Sequence, residues 1–111
     1  MSNIDWSGVV TADDKAQQAA AAAREAWKAR RAEAVRNIKV TTTSGLVFDG
    51  DEVSQARMAR GILGLQAEGE GATVLWVLAN NEAVTVTAEE LAEALRLAGA
   101  EQARLWVADH E

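Results

Sequence analysis

The sequence predicts an α+β fold, a long N-terminal helix followed by two β-hairpin–helix units in the order α-ββ-α-ββ-α. Three features carry that reading. An alanine-rich run without Pro or Gly extends from Thr11 to about Asn37, two short apolar stretches each double back through a turn, and a specified helix start follows each of them. The expected organisation is an N-terminal arm with the long helix over residues 1–37 and a compact α+β domain over residues 38–111.

Taken in order, the chain begins with Ile4, Trp6, Val9 and Val10 in neither helical nor strand period. An arm of that kind is expected to fasten onto its own body or onto a partner. Thr11 reads as an N-cap with Asp14 at N3, and the helix that follows would be roughly 40 Å long at 1.5 Å per residue. Its apolar stripe is mostly alanine, at Ala16, Ala20, Ala23 and Ala34, with Trp27 and Ile38 as the bulky anchors. Such a stripe buries little by itself, so the helix lies close against the body, self-associates in a tight bundle, or stands as a semi-detached linker.

The first hairpin is read from Ile38, Val40 and Thr42 alternating with Lys39 and Thr41, a turn at Thr43-Ser44-Gly45, and a return through Leu46-Val47-Phe48. The second helix is expected to start at Asp49 as N-cap, with Glu52 at N3 and Phe48 stapled to Val53. Its apolar arc comprises Leu65, Met58, Ile62, Ala59, Leu63 and Ala56. Arg57, Arg60, Gly61, Gly64 and Ser54 occupy the opposite side, where two helical glycines suggest the close approach of another backbone.

After a loop at Glu68-Gly69-Glu70-Gly71, the run Val74 to Ala79 is apolar on both faces, which implies cover on both sides by helices or by an oligomer. Trp76 is read as core. Asn80-Asn81-Glu82 turns the chain into Val84 and Val86, and Thr87 caps the last helix with Glu90 at N3 and Val86 stapled to Leu91. A shift of 38 residues superposes the two hairpin–helix units, Asp49 falling on Thr87. Leu91, Leu95 and Ala98 form the buried stripe, Gly99 is placed at the helix end, and Glu101 to Val107 is read as a further helical turn.

Composition narrows the function. With 49% hydrophobic and 25% charged residues over 111 positions, the chain is an ordinary single globular domain. Cysteine is absent, so disulfides and thiolate metal sites are excluded. No membrane-length apolar run and no early basic cluster ahead of one is found, so neither a membrane partner nor a secretory signal is expected, and a cytoplasmic location is the default. The net charge of −6 hides an asymmetry: Arg24 to Lys39 carries a net +4, leaving −10 for the rest. The basic segment suits an acidic protein surface better than nucleic acid, because the acidic body would repel phosphate.

Catalytic groups are scarce. The single histidine, His110, is penultimate, so no Ser–His pair or His metal site can be built within one chain. Asp49-Gly50-Asp51-Glu52 resembles the start of a calcium loop but continues with Val53 and places Arg60 where a bidentate Glu belongs. Glu68-Gly69-Glu70-Gly71 lacks the lysine of a phosphate loop. No catalytic, cofactor-binding or metal-ligating residue is assigned, and the expectation is a protein that is not an enzyme.

The run Phe48 to Arg60, followed by Trp76-Val77-Leu78-Ala79-Asn80-Asn81 and Thr87-Ala88-Glu89-Glu90-Leu91, resembles a family of small bacteriophage and prophage proteins that carry a domain of unassigned function. The resemblance covers about Ile38 to Val107, and Leu75 and Gly61 depart from its pattern, where proline and alanine are commoner. It implies a product of a tail gene cluster, encoded beside or fused to tail fibre proteins. The implied function is a tail fibre assembly chaperone that binds the phage tail fibre protein in the host cytoplasm. The alternative is an oligomeric structural minor component of the virion tail, assembled through its N-terminal helix. The candidate partner-binding residues are Trp27, Arg30, Arg31, Arg57, Arg60, Gly61 and Gly64, and a homo-oligomer is expected.

Overall fold

A computed structural model describes residues 12–108. The expected Thr11 cap, the arm around Trp6 and the penultimate His110 lie outside the described residues. The architecture is α+β: α1 (Ala12–Arg36), β1 (Lys39–Thr41), β2 (Val47–Asp49), α2 (Glu52–Glu68), β3 (Thr73–Val77), β4 (Ala83–Thr87) and α3 (Ala88–Val107). Contacts divide the chain into two units, Met1–Arg30 and Arg31–Glu111. The described part of the first is α1 from Ala12 to Arg30, while the last turn of α1 belongs to the second and contributes the buried Val35.

The second unit holds two antiparallel hairpins, each followed by a helix. In the first, Val40 faces Phe48; in the second, Val74 faces Val86 and Trp76 faces Val84. The core gathers Ile38, Val40 and Phe48 from the first hairpin, Met58 and Leu65 from α2, Leu78 and Val86 from the second hairpin, and Leu91, Ala94 and Ala98 from α3. Phe48, Met58, Val86 and Leu91 are fully enclosed, and burial of each contributes about 1.5–3 kcal/mol. Thr43, in the first turn, ties hairpin to helix: its N–H donates to Glu93 Oε2 at 2.8 Å.

The start of α3 forms as the sequence predicts. Thr87 Oγ1 accepts from Glu90 N at 3.2 Å, Glu90 Oε1 accepts from Thr87 N at 3.2 Å, and Val86 and Leu91 are both sealed from solvent. The start of α2 differs from expectation. Its N-cap is Asp51, which makes no side-chain cap bond, and its carboxylate instead accepts from the Ser54 hydroxyl. Asp49 cannot be the cap because it is the last residue of β2, opposite Lys39, and Gly50 N–H extends the hairpin by donating to Ile38 O at 2.8 Å. The proposed Phe48–Val53 staple is therefore absent: Phe48 is an inward strand residue and Val53 is exposed.

That displacement also corrects the internal offset. Gly45 and Asn81 both have positive φ, at 87° and 68°. Thr42 N–H donates to Leu46 O as Leu78 N–H donates to Glu82 O, and Gly45 N–H donates to Thr42 O as Asn81 N–H donates to Leu78 O. Asp51 and Thr87 cap the two helices. All these pairs stand 36 residues apart rather than 38. Reading Asp49 as the cap lengthened the offset by the two residues that separate it from Asp51.

Two further expectations are revised. Helix α3 runs through Gly99 to Val107, because its inner stripe continues past Ala98 to Gln102, bonded to Gln55 at 2.7 Å, and to Leu105, packed on the core. The apolar arc of α2 centres on Met58 and Leu65 and turns towards Gly61, so Leu63 and Ala56 are exposed. The described helices of the same chain do not supply the cover expected of β3, since Leu75 is 69% and Val77 59% exposed, which leaves the oligomer alternative.

Candidate functional site

The predicted partner-binding residues fall into three places. Trp27 and Arg30 lie on the first unit's length of α1, where Ala12 to Ala26 are all exposed and Trp27 is half-buried. This surface is mostly alanine with charged residues interspersed, because the helix follows propensity rather than a strong apolar stripe. Lys28 pairs with Glu25 at 3.8 Å along it.

Arg31 begins the second unit, and its guanidinium lies 3.8 Å from the ring centroid of Trp106 on α3. Glu33, two residues on, bonds Arg36 and Asn37, and these hydrogen bonds hold its carboxyl below the ordinary carboxylate range. The basic character of this segment is thus partly answered within its own helix.

Arg57, Gly61 and Gly64 share one side of α2 facing β3, with Ser54 at one end and Glu68 at the other. Two open grooves follow that seam. One, of about 380 Å³, is lined among others by Ser54, Arg57, Leu75, Trp76 and Val77; the other, of about 310 Å³, by Gly61, Gly64, Glu68, Thr73 and Val74. The expected close approach at Gly61 is real but comes from side chains, not backbone: an added Cβ would stand 3.1 Å from Trp76 Cζ3 and from Leu91 Cδ1. Nothing lies within 4 Å of a Cβ at Gly64. Arg60 is exposed and lines neither groove.

The chemistry of these places is that of contact surfaces. Among the described residues, no group of three or more His, Asp or Glu side chains is arranged to hold a metal ion. The resolved carboxyl shifts, at Glu33 and Glu101, come from arginines one turn along the same helix and mark surface ion pairs. No described helix is long and apolar enough to cross a membrane. Leu75, Val77, Glu68 and Trp106 were not selected from sequence. The run Val74 to Ala79 reads as buried because it lacks a polar face, and a face left open without polar residues has no signal in one sequence.

A protein-family model described as Domain of unknown function (DUF4376) matches residues 10–108. The chain belongs to this family. The DUF4376 match takes in α1 and both hairpin–helix units, so the long helix lies within the matched region. No curated protein and no solved structure matches the chain.

Proposed function

We propose that this DUF4376 protein is a bacteriophage tail-associated assembly chaperone that acts by binding a tail fibre protein through α1. The observation that carries the reading is α1 itself: a 25-residue helix that lies within the family domain yet buries only Val35. A long exposed helix rich in alanine is suited to lie against another helix, since small side chains let two backbones approach closely. The phage assignment rests on the resemblance of Phe48 to Arg60, the Trp76 strand and the Thr87 cap to phage tail-region proteins.

The test is co-expression with the fibre protein encoded beside it. A chaperone raises the yield of soluble, correctly assembled fibre and is absent from finished particles. Charge reversal at Arg30 and Arg31 together with Trp27→Glu lowers that yield while the chain remains folded. Unchanged fibre yield, or a gene lying outside any tail cluster, overturns the reading. The same exposed helix supports a second reading, a structural tail component bundled through α1, which predicts stoichiometric presence in purified virions.

A further inference from the structure

Among the described residues, strand β3 has one paired edge and one open edge. Leu78 N–H donates to Glu82 O, so by alternation Trp76 and Val74 exchange their ladder bonds with Val84 and Val86. The backbone N–H and C=O groups of Thr73, Leu75 and Val77 therefore point away from β4. Among the described residues, the bond on this edge is at its end, where Ala79 N–H donates to Val47 O at 3.0 Å. The strand from Thr73 to Val77 contains no charge, no proline and no bulge, the devices that normally protect an edge. Its outer face is equally plain: Thr73, Leu75, Val77, Ala83 and Thr85 are exposed and uncharged. A lone two-stranded hairpin is marginal, whereas a larger sheet backed by helices is stable.

We infer that this edge is the seat of a second copy of the same chain, β3 pairing antiparallel with β3 of the other subunit about a twofold axis at Leu75. In that register Leu75 faces its own counterpart and Thr73 faces Val77 of the other copy, so the outward groups on both strands meet in pairs. Two hairpins become one four-stranded sheet with α2 of each copy beneath its centre.

Arg57 and Glu68 beside the edge are complementary under that operation, while Asp49, which lines the groove with Arg57, pairs with Lys39 at 3.9 Å. Helix α2 runs antiparallel to β3, with Arg57 beside Leu75 to Val77 and Glu68 beside Thr73 and Val74. Eleven helical steps separate them, about 16 Å, close to the ~13 Å between Thr73 and Val77 along the strand. They are too far apart to pair within one chain. A twofold axis at Leu75 exchanges the two ends of the seam, bringing Arg57 of each copy to Glu68 of the other. Gly64, with open space above it, keeps the seam low between them. Both charges are exposed, as interface rim residues are before association. The pairing is argued from residues of the second unit alone, so it stands whether or not the fibre-binding reading does.

The full chain is measured by size exclusion with light scattering and by analytical ultracentrifugation. The expected particle has twice the 11.8 kDa chain mass. Leu75→Lys abolishes it. Arg57→Glu and Glu68→Arg, each alone, raise the dissociation constant about tenfold, and the double swap restores it, because only a cross-subunit pair is repaired by exchanging both partners. Circular dichroism confirms that the exposed-site variants remain folded. A monomer at all concentrations overturns the inference. So does a dimer that is indifferent to Leu75→Lys and to the swaps.

Discussion

Gly61 on α2 lies against the ring of Trp76 on β3, where a methyl group fits only if its neighbours give: a Cβ there would sit 3.1 Å from Trp76 Cζ3 and 3.1 Å from Leu91 Cδ1. Leu91 is fully buried and cannot swing away. Alanine at 61 gains about 1 kcal/mol in helix propensity but overpacks the site at a cost of about 1–3 kcal/mol. Gly61→Ala is therefore net destabilising by about 1 kcal/mol. Gly64, one turn on, has open space above it, so Gly64→Ala realises the propensity gain and stabilises by about 0.5–1 kcal/mol. Urea denaturation of the two variants should give opposite signs. Stabilisation by both would mean that Trp76 yields without cost.

A tighter site is Gly50, between the end of β2 and α2. A Cβ there would meet Ile38 Cγ2 at 2.6 Å and Ala98 Cβ at 2.9 Å, distances that real contacts do not show. Ala98 has no rotamer to relieve the overlap, and Gly50 N–H is fixed by its bond to Ile38 O. Gly50→Ala should cost about 2–3 kcal/mol, visible as a lower urea midpoint with helix content retained in the native baseline. A cost below that of Gly61→Ala would contradict the packing.

These glycines mark how far the sequence was legible. Helix α3 could be read to the residue at its start because Thr87, Glu90, Val86 and Leu91 act over four positions, and local chemistry decides them. The start of α2 was misread because Asp49 and Asp51 are both good caps, and the choice between them is made by Lys39 and Ile38 of the distant strand. Gly50 fell at the start of the expected helix with no role of its own, and its role depends on Ala98. On the candidate surface, 3.6-residue periodicity places Arg57, Gly61 and Gly64 on one side of α2, but Arg60, read as part of the same side, lines neither groove. Their neighbour Leu75 was not foreseen as exposed, because whether an apolar strand face is covered depends on which elements reach it.

The two caps should differ in strength. Thr87→Ala removes a reciprocal pair of bonds at the N-terminus of α3 and should cost about 1 kcal/mol. Asp51→Ala removes a carboxylate that caps no backbone N–H, so its loss is confined to the helix dipole and the Ser54 contact, about 0.5 kcal/mol. Measured together by thermal and urea unfolding, an equal or larger loss at Asp51 would show that its carboxylate turns to the free amides in solution.

Acid should act through the surface pairs in one direction. The hydrogen bond from Arg104 to Glu101, with Nε at 3.2 and 3.1 Å from the two carboxylate oxygens, holds Glu101 below its ordinary value of 4.5. A depressed folded value means that the stabilisation is present above the unfolded value and is lost as pH falls through the folded one. The difference in urea midpoint between the native chain and Glu101→Gln should be small at neutral pH, shrink with added salt, and vanish in acid below 4.5. A difference that persists in acid would assign it to packing of the side chain.

Arg31 and Trp106 join the last turns of α1 to the end of α3, and nothing in their sequence positions announces it. The guanidinium lies 3.8 Å from the ring centroid, within the distance at which the ring's negative face attracts a cation, and Trp106 is 49% exposed, so solvent screens part of the attraction. A double-mutant cycle with Arg31→Ala and Trp106→Leu should return a coupling of about 0.5–1 kcal/mol. Arg31→Lys should keep only part of it, because the planar guanidinium also stacks on the ring and an ammonium does not. The contact lies in the last turn of α3, so Trp106→Leu should increase amide exchange over Arg104 to Val107 while leaving Leu91 to Ala98 protected. Zero coupling in the cycle, with unchanged exchange at the end of α3, would show that the stacked arrangement contributes nothing to holding these two helix ends together.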